Sequence, residues 1–345
     1  MAIRTEAFGN TAAGEATKLF IITNSSMEIA VSDFGATLVR VVTKDRDGNP
    51  CDVVLGYDDA AGYEMGGFSF GAIVGRSANR IGGATFEING KTYQLAKNNN
   101  GNNLHSGPEF YSKRIWTVED TGESSITFSL FSPDGDQGYP GNVKISVTYT
   151  LTADNAVQID YHAVPDTDTI INMTNHSYFN LDGHAAGSIL DQEVWIKAQA
   201  FTKADKESIP TGEIVSVTGT PMDFNTAKAV GRDIEEEYEA LQLGGGYDHN
   251  WVLDNNGEYA LAARMSSQST GINMEVYTDL PGMQFYTGNF ITEDIGKNGV
   301  HYHRRQGLCF ESQYFPDAVN KSNFASPICR AGETYSTKTS YKFYL

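Results

Sequence analysis

No apolar run in this sequence approaches the roughly 18 residues that a helix needs to cross a bilayer. The first residues, Met1-Ala2-Ile3-Arg4-Thr5-Glu6, also lack the continuous apolar segment of a secretory signal. Cysteine is scarce. Cys51, Cys309 and Cys329 are odd in number, far apart and never spaced as Cys-x-x-Cys, so neither a zinc ribbon nor a dithiol redox pair is set up. Free thiols in a reducing compartment account for them, and a cytoplasmic protein is expected. Positive charge is short as well: 25 basic side chains stand against 43 acidic ones, a net charge of -18. A nucleic-acid backbone or an anionic membrane would be repelled, and neither is expected as a partner. A neutral small molecule is indifferent to that field.

Helical periodicity is sparse. Arg232 to Leu243 carries Ile234, Tyr238 and Leu241 at helical spacing behind Asp233 as a cap, and runs out at Gly244-Gly245-Gly246, which predicts one short helix. Alternation with period two is the common pattern instead. Thr85-Phe86-Glu87-Ile88 and Thr92-Tyr93-Gln94-Leu95 flank Asn89-Gly90, the strongest short-range signal for a hairpin with a type I′ turn. Similar runs fill Ser125 to Phe131, Val143 to Leu151, Ala156 to Val164 and Tyr335 to Phe343, closed by turn-forming residues. The run Asn98-Asn99-Asn100-Gly101-Asn102-Asn103 reads as a loop. Many strands without intervening helices predict an all-β chain: a large antiparallel β-sandwich with few short helices. With no repeat and no linker, residues 1–345 read as a single domain.

Polar clusters punctuate the strands. Thr174-Asn175-His176-Ser177-Tyr178-Phe179-Asn180-Leu181 packs an imidazole, a phenol, two hydroxyls and two amides into eight residues, an inventory suited to a neutral, hydroxyl-covered ligand such as a sugar. His176 alone among them changes protonation near neutral pH and so can donate a proton. The others are Gly75-Arg76-Ser77-Ala78-Asn79-Arg80, Asn103-Leu104-His105-Ser106-Gly107, Gly246-Tyr247-Asp248-His249-Asn250-Trp251 and Phe310-Glu311-Ser312-Gln313. A polar residue beside glycine is most often an ordinary turn residue, so no single cluster decides anything. Glu311 lies among Leu308, Cys309, Phe310, Tyr314 and Phe315. It is a solvent-facing strand position, a structural ion pair, or a base tuned by an apolar neighbourhood. Arg76 and Arg80 read as turn residues, anchoring a loop carboxylate or forking onto sugar hydroxyls.

Several chemistries lack their residues. The glycines around 71 to 83 have no βαβ context, which excludes a nicotinamide cofactor, and no Gly-x-Ser-x-Gly elbow presents a serine nucleophile. His301-x-His303 stands beside Arg304 and Arg305, a poor setting for a cation. No metal is expected, although spacing does not forbid a histidine site assembled in space.

Taken together and in order, the clusters resemble the aldose 1-epimerases, the galactose mutarotase family. The resemblance spans the chain and rests on Gly-Arg-x-Ala-Asn-Arg-Ile at 75 to 81, Asn-His-Ser-Tyr-Phe-Asn-Leu at 175 to 181, Pro-Gly-x-Gln-x-Tyr-Thr-Gly-Asn at 281 to 289 and Glu-x-Gln at 311 to 313. It implies a β-supersandwich working without metal or cofactor on free hexoses such as galactose and glucose. It implies Glu311 as the base at the anomeric hydroxyl and His176 as the acid at the ring oxygen. Asn79, Arg80, His105, Tyr178, Asp248 and Gln284 would line the sugar site. Two positions depart from the family pattern: Ser77 replaces an often apolar residue, and Ser106 stands where glycine is usual, with an expected shift of the loop carrying His105. Two competing readings remain. One is a non-catalytic sugar-binding module, which has no use for both an acid and a base. The other is a glycoside hydrolase, whose two carboxylates would be Asp248 and Glu311.

Overall fold

A computed structural model describes residues 2–345. Three antiparallel sheets carry most of the strands. The first is a meander of Ala2–Asn10, Ala16–Thr23, Glu28–Ser32, Thr37–Lys44 and Pro50–Asp52. The second has nine strands, in the order Thr117–Thr121, Ser125–Ser132, Val143–Leu151, Ala156–Pro165, Tyr335–Tyr344, Asn273–Thr278, Ala260–Ser266, Glu193–Ile196 and Lys228–Ala229. The third orders Pro210–Ser216, Ala200–Ala204, Asp248–Val252, Gly282–Tyr286 and Cys309–Gln313. The chain is an all-β antiparallel sandwich, as its alternation predicts.

The alternation sets which face of each strand is buried. Along Val143–Leu151 the odd-numbered Val143, Ile145, Val147, Tyr149 and Leu151 are buried, while Lys144, Ser146, Thr148 and Thr150 are not. One apolar cluster takes Phe20 and Ile22 from the first sheet, Ile145 and Tyr341 from the second, and Trp251, Phe285 and Phe310 from the third. The three sheets therefore pack on a common core, each buried large aliphatic or aromatic side chain contributing roughly 1.5–3 kcal/mol.

The hairpin at Asn89-Gly90 is present, with φ of 53° and 75° at the two turn residues and Ile88 opposite Lys91. The expected helix at Arg232 to Leu243 is not. The helix there is only Glu239–Gly244, and the preceding residues form turns. Asp233 does not cap it, because its carboxylate is held by Lys228 and Arg232 at 2.8 and 2.7 Å. Glycine does end the helix: Gly245 takes φ of 65°, and the Gly246 amide donates to the Leu241 carbonyl. A second short helix, Ala60–Met65, had no periodic signal in six residues; it is capped by Asp59, whose side chain accepts from the Gly62 amide. No helix among the described residues is long and apolar enough to cross a membrane.

Candidate active site

Three neighbouring strands build one wall. In register, Asn250 faces Gln284 and Gln284 faces Glu311, while Asp248 faces Tyr286 and Tyr286 faces Cys309. Period two then puts Asp248, Asn250, Gln284, Tyr286, Cys309, Glu311 and Gln313 on one face, with Trp251, Phe285 and Phe310 on the other, in the core. Both faces are buried. A sheet face that is polar yet shielded from bulk water is what a ligand site requires, and it explains how Glu311 is only 2% exposed. His249 belongs to the opposite face, edge-on to Phe201 and Trp251.

The facing wall consists of loops held by their own polar groups. His176 follows the two-residue strand Thr174–Asn175, and its backbone exchanges hydrogen bonds with Gly71 and Ala72. Asn175 and Asn180 do not face the ligand space. Asn175 donates to the Tyr341 hydroxyl, and Asn180 donates to the carbonyls of Gly187 and Gln306, so both amides fasten the segment. Arg80–Ile81 pairs with Asn103–Leu104, which sets His105 beside Asn79. The asparagine-rich run supports that pairing: Asn98 both accepts from and donates to the Leu104 backbone, and Asn103 donates to the carbonyls of Ala96 and Gly107.

The two departures from the family pattern meet here. The Ser77 amide donates to Ser106 Oγ at 2.8 Å, and Ser106 Oγ donates to the Ser77 carbonyl at 3.0 Å. Ser106 sits at φ of 59°, a conformation favouring glycine, and these bonds hold it there. The loop carrying His105 is thus tied down by the serines. Arg76 and Arg80 part company. Arg76 is fully buried and anchors loops through the carbonyls of Pro140 and Gly141 and the Ser132 hydroxyl, rather than through a carboxylate. Arg80 reaches the cavity.

That cavity, about 150 Å³, is lined by Asn79, Arg80, His105, His176, Tyr178, Asp248, Gln284 and Glu311 together. Gly67, Phe68, Ser69, Leu104, Tyr286 and Phe290 complete it. Sequence reasoning missed these six. Tyr286 carried a usable signal, standing two residues after Gln284 and so on the same strand face. Phe68 and Ser69 come from a loop whose position only the tertiary fold sets.

His176 Nε2 lies 3.7 Å from Glu311 Oε1. The imidazole stacks on Tyr178 with centroids 4.9 Å apart and meets His105 edge-on at 5.4 Å. Burial lowers the proton affinity of His176, giving a pKa of about 4. Burial first, and Asp248 second, push Glu311 well above an ordinary glutamate, with Arg80 pulling it back. His105 Nδ1 accepts the Asn79 amide at 3.1 Å, which leaves its hydrogen on Nε2 as a donor; burial, His176 and Arg80 all keep this ring neutral. Gln284 donates to Asp248 Oδ1 at 2.7 Å, so Oδ2 is the freer oxygen for a ligand hydroxyl. Ligand atoms of His105, His176 and Glu311 all lie within 4.8 Å of one another. That range would also suit a divalent ion, the spatially assembled arrangement that spacing did not forbid.

The sequence profile of the family described as aldose 1-epimerase matches residues 18–342. Galactose mutarotase of Bos taurus is 41% identical over 338 residues, covering 97% of each chain. Aldose 1-epimerase of Escherichia coli K12 is 36% identical over 323 residues, covering 93% of each. Among solved structures, an aldose epimerase homologue from C. elegans superposes with a TM-score of 0.88 at 32% identity, over 95% of this chain and 99% of that one. Galactose 1-epimerase from Lactobacillus acidophilus gives 0.87 at 24% identity, over 100% and 99%, which bears on the fold alone. By profile, identity and coverage, the chain belongs to the aldose 1-epimerase family.

Proposed function

We propose that this enzyme is a mutarotase that interconverts the α and β anomers of free hexoses such as galactose and glucose. The observation that carries the reading is an imidazole and a carboxylate 3.7 Å apart in a cavity that also presents the hydrogen-bonding side chains of Asn79, Arg80, His105, Asp248 and Gln284. Glu311 takes the proton from O1 as the C1–O5 bond breaks. The bond's electron pair goes to O5, which takes a proton from His176 Nε2. Rotation about C1–C2 presents the other face of the aldehyde. Closure then runs in reverse: His176 recovers the O5 proton while O5 attacks C1, and Glu311 returns a proton to O1.

Ring opening in this scheme turns a carboxylate and an imidazolium into two neutral groups. Burial favours that change on both sides, since it raises the proton affinity of Glu311 and lowers that of His176. Arg80 opposes it in part, drawing the proton affinity of Glu311 back down. Asp248 and the Nε2–H of His105 offer an acceptor and a donor to the sugar. The three cysteines form no disulfide, which accords with a cytoplasmic protein.

The test is polarimetric. Freshly dissolved α-D-galactose and α-D-glucose are to lose rotation faster with the native protein, and Glu311→Gln and His176→Asn are each to lower kcat by roughly 10²–10⁴. Full activity in both variants would refute the roles. Release of reducing ends from a glycoside, without effect on free hexoses, would favour hydrolysis by Asp248 and Glu311.

A further inference from the structure

Behind the ring of His176 lies a group that the proton transfers above do not use. Cys309 stands two residues before Glu311 on the same strand and is fully buried, and its Sγ lies 3.4 Å from His176 Nδ1. The imidazole is therefore held between two partners, with Nε2 toward Glu311 and Nδ1 toward sulfur. Tyr178 covers one face of the ring, while His105 and Tyr286 meet it edge-on. None of these neighbours gives Nδ1 a carboxylate.

We propose that Cys309 is a positioning residue: its sulfur accepts the Nδ1–H of His176 and so makes Nε2 the nitrogen that exchanges a proton with the sugar ring oxygen. The inference rests on the reading of His176 as the acid of the reaction. Once Nε2 has given its proton to O5, the neutral ring has to keep its remaining hydrogen on Nδ1, because a bare Nε2 must recover the proton at closure. An isolated histidine favours the opposite tautomer. Which nitrogen holds the hydrogen is decided by the bond the other one makes, so a partner at Nδ1 is required. The histidine's own carbonyl pulls the same way, but that oxygen already accepts from the Gly71 amide.

Sulfur is a weak acceptor, and the weakness is useful here. A carboxylate at this place would stabilise the imidazolium and make it a poorer acid. The thiol stays uncharged, because burial, Glu311 and Asp248 all disfavour its ionisation. It can thus orient the ring while leaving its acidity to the rest of the cavity.

The test reads the tautomer directly. Long-range proton–nitrogen correlation spectra of the nitrogen-15-labelled protein at neutral pH, with the His176 signals assigned by their loss in His176→Asn, report which ring nitrogen is protonated. The native protein is expected to carry hydrogen on Nδ1. Cys309→Ala is expected to move it to Nε2 and to lower kcat about tenfold with KM unchanged, the worth of roughly one net hydrogen bond. Cys309→Ser, whose oxygen also accepts, is expected to keep the native tautomer and most of kcat. An unprotonated Nδ1 in the native protein overturns the inference, as does a Cys309→Ala variant with native tautomer and native kcat. The spectrum requires no turnover, so a protein that fails to mutarotate hexoses would defeat the proposed function while the tautomer still judged Cys309.

Discussion

At the scale of single residues, Glu311 and His176 titrate as one unit, because each lies within the other's field. A pair sharing one proton is competent between two limits. It gains a second proton as His176 is protonated, with a pKa of about 4, and loses the first above the ordinary glutamate value. The pH dependence of kcat/KM is therefore expected to rise near 4 and to fall only well above the ordinary glutamate range. An ascending limb at the ordinary histidine value of 6.5 would contradict it. The same burial weakens the fold. Glu311 binds its proton more tightly folded than unfolded, so stability is lost as pH rises from 4.5 toward the raised pKa, by about 1.4 kcal/mol per unit of displacement. Glu311→Gln is accordingly expected to unfold at higher urea than the native protein at neutral pH, with the difference vanishing below 4.5. Much of this chemistry was legible as motifs: an acidic residue inside an apolar strand is conspicuous in one dimension. What could not be read was which member of a motif faces the ligand. Asn175 and Asn180 flank His176 yet serve the scaffold, and Arg76 is buried against carbonyls supplied by residues 132 to 141.

At the scale of elements, alternation located the strands well because a one-residue slip would turn each core side chain outward. It misjudged the helix for the opposite reason. Ile234, Tyr238 and Leu241 do stand at helical intervals, but the salt bridges of Asp233 hold the first part of that segment in turns. Period two also could not say that the polar face of the third sheet is covered. That follows only from the loops carrying Asn79, His105 and His176 lying across it. The serine clasp governs one of those loops. Ser106→Ala leaves the buried Ser77 amide without its acceptor, and is expected to cost roughly 1–3 kcal/mol in urea unfolding. Because the loop carries His105 rather than Glu311 or His176, KM for galactose should rise more than kcat falls. An effect confined to kcat would place His105 in the proton transfers instead.

At the scale of the whole molecule, the apolar cluster draws residues from Phe20 to Phe343 across three sheets. We infer that the chain unfolds as one unit, and a single calorimetric transition is the expected record. That unit is acid-sensitive. His176 and His249 are buried and His105 is half-buried, all three with lowered proton affinity, so the unfolded state takes these protons up first as pH falls through 6.5, and the rings' contribution to stability declines from there downward. The urea midpoint should drop between neutral pH and about pH 5 by more than in a variant with His249 replaced by Phe. Because Glu311 acts in the opposite sense over this range, the difference between the two proteins is the readout, and an equal pH response in both would show that the His249 ring is protonated in the fold. The topology has one more consequence. Tyr335–Tyr344 lies in the interior of the nine-stranded sheet, between Ala156–Pro165 and Asn273–Thr278. While a ribosome is still extending the chain, both neighbours wait with a gap between them, and the sheet can close only after that segment has cleared the exit tunnel. Until then, nascent copies would carry two unpaired strand edges open to pairing with other chains.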